Sequence, residues 1–290
     1  MIVHYHRLMK KITLILLIAL SSSICAVAQT AAYKVYAVRF AGTAHLFPIS
    51  DWADKGPTTD SVRINFMVWL IKGSNGKNIL VDAGFINDTP DAADFNVVNY
   101  IRPDSALLKL GIKPGDISDI ILSHPHWDHI DGIGLFPNAH IWIQKEDYGY
   151  FVGGAWQKDG QNGGFNKRDV RTLLELNMAG KVTLVDGDNK EIMPGIKVFT
   201  GSRHTYNSQY VLVETGTNKI VLASDNIWIY YSLEHLVPAS VGGTLDPAGY
   251  VKAMQRMKTM VSDVKFIVPG HDAKVFSVFP KVADGVVEIK

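Results

Sequence analysis

The chain has 290 residues, with 29 Lys+Arg against 28 Asp+Glu, one Cys and 47% hydrophobic residues. A near-neutral charge with no basic block leaves no electrostatic footprint for nucleic acid or an anionic membrane, which points to a small molecule as the partner. The length allows a substantial core, and no linker-like or low-complexity stretch divides it, so a single domain over 29–290 is expected.

Taken in chain order, residues 1–28 read as a secretory signal peptide. Lys10-Lys11 supply the positive charge, Ile12 to Leu20 form an apolar run too short to span a bilayer, and Ala26-Val27-Ala28 offer a small-residue cleavage site. An uncleaved anchor is the alternative, and Met9 is a second candidate start. Cys25 lies inside this leader in a poor context for lipid attachment, so the mature chain would hold neither a disulfide nor a thiolate. The leader also carries Arg7, Lys10 and Lys11, and without it 26 basic residues face 28 acidic ones. The expectation is export to a periplasm or beyond, with no stable membrane insertion after cleavage.

Beyond the leader, Lys34 to Phe40, Arg63 to Ile71 and Lys77 to Val81 are strand-like, rich in β-branched and aromatic residues, with Gly73-Ser74-Asn75-Gly76 as a turn. Asp104 to Leu110 reads as a short helix closed by Gly111, and Ile117 to Leu122 as a strand. Ala139 to Gln144 is strand-like, Lys145 to Phe151 starts a helix, and Lys167 to Met178 has helical apolar spacing ended by Gly180. Strands are expected at 181–185, 196–200, 209–214, 219–224 and 265–269. Helices are expected at Asp225 to Leu236 and at Asp246 to Val261, the latter packing an Ala248, Val251, Met254, Met257, Met260 stripe. Periodicity alone indicates a layered α/β or α+β domain.

The strand ending at Leu122 runs into Ser123-His124-Pro125-His126-Trp127-Asp128-His129, three imidazoles and a carboxylate in six positions. Neutral imidazole nitrogens and carboxylate oxygens are the usual ligands for zinc and its first-row neighbours. In an extended segment His124 and His126 point the same way and can share one metal, while Asp128 and His129 lie past the turn and can serve a second. His204, Asp225 and His271 each close or follow a strand-like run, 75, 21 and 46 positions apart counting from His129. The residues themselves describe a metal hydrolase.

With Ser224-Asp225-Asn226 and Gly270-His271-Asp272 in place, the pattern resembles the metallo-β-lactamase superfamily over roughly residues 35 to 280. The resemblance implies an αββα sandwich, two mixed sheets face to face with helices outside. It also implies that His124, His126 and His204 hold one divalent metal, that Asp128, His129 and His271 hold another, and that Asp225 bridges both. Zinc is the default from the ligand type, although iron, manganese or cobalt fit the same set. Asp82 in Val81-Asp82-Ala83-Gly84 would support a ligand from behind. Asp128 would be catalytic, moving a proton from a metal-bridging hydroxide's water to the leaving oxygen.

Within the superfamily, Ile143 to Tyr148, Pro194 to Val198 and Gly270-His271-Asp272 resemble the N-acyl-homoserine lactone lactonases, as do the gaps of 21 and 46 and the retained bridging Asp; that Asp argues against a true β-lactamase, and the missing Cys against one major subclass of them. The lactonase group opens acyl lactones, the activity associated with quorum quenching; an organophosphate or phosphodiester hydrolase or a β-lactamase is the alternative. Trp127, Tyr148, Trp156 and Trp228 are expected to line the substrate groove, with Tyr150, Phe151, Phe47 and Trp52 as further wall candidates. Many lactonases have a Tyr where this chain has Trp228, leaving Tyr206, Tyr230 or Tyr231 to supply a phenol. Asn207 is expected to take a positive-φ position after His204. His45, His140 and His235 are expected to be packing or surface residues, and Asp131 and Asp272 to adjoin the site. Oligomeric state and tail-length preference are not written in the sequence.

Overall fold

A computed structural model describes residues 33–290; the leader lies outside the described residues. Two large sheets dominate it. The first runs from edge to edge as Lys281–Ala283, Val286–Ile289, Tyr33–Thr43, Asn65–Gly73, Asn78–Val81, Ile117–Ile121, His140–Gln144 and Val182–Val185, and Val97–Val98 also pairs with Tyr33–Thr43. The second runs as Lys190–Met193, Ile196–Thr200, Gln209–Glu214, Lys219–Ser224 and Ile267–Pro269. Both mix antiparallel and parallel pairs, the parallel ones arising where a helix-bearing crossover intervenes.

Alternation along the strands explains the layering. Val35, Ala37, Met67, Trp69, Ile71, Ile79, Val81 and Ile121 belong to the core shared with Val198, Val211, Val213 and Leu222 of the second sheet. Their neighbours Val38, Phe40, Phe66, Val68, Leu70, Leu80 and Ile120 face the other way, under Ala106, Leu107, Ile130, Phe151 and Leu173. The outer side of the second sheet packs on the helix Pro247–Met260 through Tyr250, Ala253, Met254 and Met257. Sheets inside and helices outside make an αββα sandwich, with the strand ends carrying the functional loops on one rim.

Several expected elements shift. The helix expected from Asp225 is confined to Tyr230–His235. Ahead of it the chain makes tight turns, with Asn226 N–H donating to Ala223 and Ile227 N–H to Ser224, which turn the Asp225 carboxylate inward instead of along a helix face. In the helix Pro247–Met260 the apolar stripe is rotated, so that Ala248 is exposed while Tyr250 and Ala253 are buried. The C-terminal strands Lys281–Ala283 and Val286–Ile289 were not foreseen; they form a hairpin on the edge of Tyr33–Thr43, with Val35 paired to Ile289.

Candidate metal centre

Four separate strand ends deliver the site. Ile117–Ile121 ends in Ser123 and His124, and a short helix, Trp127–Ile130, turns Asp128 and His129 back toward the rim. That turn leans on Gly164: its carbonyl accepts the Trp127 N–H at 2.8 Å, its φ is +76°, and a Cβ there would lie 2.8 Å from the His126 ring. Only glycine meets both demands. From the second sheet, Ile196–Thr200, Lys219–Ser224 and Ile267–Pro269 lead to His204, Asp225 and His271.

These seven side chains converge. His124, His126 and His204 form one group of potential ligand atoms within 4.8 Å of one another, and Asp128, His129 and His271 form another. Asp225 stands between them: its Oδ1 lies 2.9 Å from His271 Nε2 and 3.3 Å from His129 Nε2, and its Oδ2 lies 3.3 Å from His204 Nε2 and 3.9 Å from His124 Nε2. One carboxylate oxygen therefore addresses each group.

The ring nitrogens that turn away from the cluster are mostly anchored. His129 Nδ1 pairs with Asp82 Oδ2 at 2.9 Å, His204 Nδ1 with the Gly243 carbonyl at 2.7 Å, His271 Nδ1 with the Asn65 carbonyl at 3.2 Å, and His124 Nδ1 with Ser123 Oγ at 2.8 Å. Such partners fix the tautomer and ring orientation of a metal-binding histidine. Asp82 serves more than His129: it also accepts from the Ser123 N–H, the Ser123 hydroxyl and the Ser224 hydroxyl. Asp82 and Ser224 both hold positive φ, 61° and 47°, a local strain of the kind concentrated at functional sites.

Whether this set suits a cation can be tested on its own chemistry. His124 Nε2, His129 Nε2 and Asp225 Oδ1 are buried and lack a hydrogen-bond partner among the described residues, and a native fold rarely leaves such atoms orphaned without a ligand to receive them. Burial, reinforced by the neighbouring imidazoles, holds His124 well below its ordinary value and takes His126 down to about 3. Burial also lowers His204. Those three are neutral donors with lone pairs available. On the other side burial opposes the charged forms of His129 and His271, yet the adjacent carboxylates outweigh it and raise both. Burial likewise opposes the ionised carboxylates, but His129 and His271 draw Asp128 down and Asp225 well below the usual range. The carboxylates thus favour positive charge in this half, which a divalent cation would supply directly. The donor set fits two ions.

A cavity of about 590 Å³ opens above the cluster, lined by His126, Asp128, His204, Asp225 and His271 at its floor and by aromatic side chains on its walls. Trp127 and Trp228 line it, as do Phe47, Trp52 and Tyr150. Tyr148 and Trp156 do not. Tyr148 is buried in the outer core with its hydroxyl accepting from Asn177, and Trp156 donates its indole N–H to the Phe151 carbonyl, with Lys167 over its ring. Phe151 is likewise core. The helix Lys145–Val152 explains this, since its period turns Tyr148 and Phe151 inward and leaves Tyr150 facing the cavity. Phe66, Phe95, Phe165, Val241 and Leu245 complete the wall; their apolar type was visible, but nothing local distinguishes a wall residue from a core one.

Of the three candidate phenols, Tyr206 lines the cavity, stacked on Tyr150 at 4.6 Å. Tyr230 is buried, and Tyr231 stacks on His235. Positive φ near His204 falls on Arg203, at 49°, and not on Asn207, whose N–H instead donates to Asp147. His45 packs on Phe47 and His140 bonds Thr183. Asp131 receives the Ile86 N–H and Arg168, and Asp272 receives the Tyr230 and Lys274 N–H groups, so both brace loops around the site.

A family model described as the metallo-beta-lactamase superfamily matches residues 67–271, and the chain belongs to that superfamily. It is a metal-dependent hydrolase. Among curated relatives, an N-acyl homoserine lactonase of Bacillus cereus is 29% identical over 241 residues, covering 75% of this chain and 87% of the relative. Among solved structures, a mutant of B. thuringiensis AiiA with N-decanoyl-L-homoserine bound at its active site superposes with a TM-score of 0.65 at 22% identity, over 86% of this chain and 97% of the other. AidC, a dizinc quorum-quenching lactonase in complex with a product, superposes with a TM-score of 0.60 at 19% identity, over 90% and 97% of the two chains. These superpositions establish the αββα sandwich.

Proposed function

We propose that the protein opens the lactone ring of N-acyl-homoserine lactones at a dinuclear divalent-metal centre, a quorum-quenching activity. The observation that carries this reading is the pair of ligand groups joined through the two oxygens of Asp225 at the floor of an aromatic-walled cavity. Lactonase relatives covering most of the chain support the choice of substrate. His124, His126 and His204 would hold one ion, Asp128, His129 and His271 the other, and Asp225 both. Bound there, the ions would supply Lewis acidity toward the ester carbonyl and acidify water. Zinc is our assignment, from the nitrogen and oxygen donors and from the dizinc neighbour.

The chain's own groups account for the rest. Asp128 lies at the cavity floor and is ionised, 3.3 Å from His129 Nε2 and 3.5 Å from His271 Nε2, so it can accept a proton from water and return one to the ring oxygen as the C–O bond breaks. One water is consumed, giving a carboxylate, a hydroxyl and one released proton. Phe47, Phe95, Phe165, Val241 and Leu245 offer the acyl tail an apolar wall. Each methylene fully buried there contributes about 0.8 kcal/mol, roughly a fourfold gain in kcat/KM until the tail passes the rim.

The test is turnover of metal-replete protein on lactones of graded tail length, with products followed by mass spectrometry. Ring opening adds one water to the intact molecule, and a chelator stops it. Amide cleavage, or turnover of phosphotriesters or cephalosporins in place of lactones, would refute the assignment. Export belongs to the same reading, supported by the charged, apolar and small-residue segments of 1–28; cell fractionation with N-terminal sequencing of the mature protein checks it.

A further inference from the structure

Trp228 makes more contacts with the metal-binding residues than a wall residue needs. Its indole Nε1–H donates to Asp225 Oδ2 at 2.8 Å, the same oxygen that faces His204 and His124. Its ring stands edge-on to His204 at 5.5 Å and to Trp52 at 5.2 Å. Its backbone is pinned at both ends, the N–H donating to Tyr250 Oη at 3.1 Å and the carbonyl accepting the His271 N–H at 3.0 Å. The bridging carboxylate and one histidine from each group are thus reached from a single residue.

A second, independent feature lies on the other side of the ring. At Gly243 a Cβ would come within 2.4 Å of Trp228 Cη2 and 2.5 Å of the Ala239 Cβ, so the indole seats directly on glycine backbone. The carbonyl of that same Gly243 receives His204 Nδ1–H at 2.7 Å. Moving the ring and moving the carbonyl that orients His204 are therefore one mechanical event.

We propose that Trp228 is a positioning residue of the metal centre, its indole N–H fixing one oxygen of the bridging Asp225 and its ring, seated on Gly243, keeping His204 aimed at the same site. The inference rests on the metal-centre reading above. An indole has a single donor, and here it is engaged with Asp225. The position where many lactonases carry a phenol thus serves the metal ligands in this chain, and polarising the substrate carbonyl falls to other groups.

Zinc affinity tests this without any lactone. Metal-stripped wild type, Trp228→Phe, Trp228→His and Gly243→Ala would be titrated with zinc against a chromogenic chelator, with circular dichroism to verify the fold and visible absorption of the cobalt-loaded forms to report ligand geometry. Trp228→Phe, which deletes the donor, is expected to bind zinc about 10- to 100-fold more weakly and to shift the cobalt bands. Trp228→His places its Nε2–H as many bonds from the ring's attachment carbon as the indole N–H is, and is expected to recover at least about tenfold of that loss at unchanged metal stoichiometry. Gly243→Ala is expected to weaken binding with the donor intact. Folded Trp228→Phe with wild-type zinc affinity and cobalt spectrum would overturn the proposal, as would Trp228→His no better than Trp228→Phe. Should Trp228→Phe not fold, Gly243→Ala decides, wild-type affinity and spectrum counting against. Failure of the wild type to open lactones would sink the functional assignment and leave these titrations unaffected.

Discussion

The two ligand groups of the candidate metal centre lie side by side and share a carboxylate, yet they are prepared for a cation in opposite ways. The half made of His124, His126 and His204 is held neutral by burial and mutual repulsion, so its lone pairs are available. The half made of Asp128, His129 and His271 carries charge, its imidazoles raised by Asp128 and Asp225. The lesson is that adjacent sites on one fold can differ in how they exchange protons for metal. A cation would meet less competition from protons in the half whose imidazoles are lowered than in the half whose imidazoles are raised.

The most damaging test of that contrast is to remove what the halves share. Asp225→Ala is expected to cost activity by more than the roughly 10- to 100-fold typical of losing a supporting partner, and to lower metal content in both halves; a variant that still fills both, by elemental analysis, would separate the halves entirely. Asp82→Asn should act more strongly on one half, because Asp82 touches His129 directly and His124 only through the Ser123 hydroxyl. It weakens the anchor on His129 Nδ1 and is expected to reduce the affinity of the second ion by about 10- to 100-fold and that of the first by less, so a two-step zinc titration should spread apart.

Proton release discriminates more finely. Near neutral pH, filling the half whose imidazoles are raised, His129 and His271, should release more protons from metal-stripped protein than filling the half whose imidazoles are lowered, His124, His126 and His204. Calorimetry in buffers of different ionisation enthalpy would count them, and equal release from both halves would erase the distinction.

The smallest effect concerns the loop behind His204. Asp147 bonds the Thr205 hydroxyl and the Asn207 N–H, and burial pushes its carboxyl up to about 6 despite those hydrogen bonds. A folded-state value above the unfolded one means the native state keeps the proton longer, so this group's contribution to stability is full below about pH 4 and declines as pH rises to about 6. Asp147→Asn removes that decline. Denaturation midpoints at intervals across this range should fall for the wild type relative to the variant.

How much of this was legible in advance depended on how local each signal was. Ser123 to His129 could be read as a ligand cluster because its geometry follows from a strand and one turn, and Lys167–Met178 could be bounded because its apolar period lies within it and Gly180 follows just past its end. Asp225 is recognisable as a ligand, but its surroundings are a loop and not the expected helix, because the Tyr250 hydroxyl and the His271 N–H that hold the Trp228 backbone come from outside the segment. Tyr148 and Trp156 were expected at the cavity on density of aromatics alone; which face of a helix meets substrate and which meets core depends on where that helix docks. The same limit hid Phe95 and Phe165 in the wall and placed the positive φ at Asn207 instead of Arg203.

By itself the sequence determined the donor chemistry, the strand ends that carry it and the layered character of the domain, because these follow from residue type, spacing and two short-range periodicities. Only tertiary structure decided that each oxygen of Asp225 faces a different histidine group, that Trp228 turns its N–H to that carboxylate, and which aromatics bound the cavity. Those outcomes depend on how the two sheets pack against each other, and no stretch of chain encodes that packing alone.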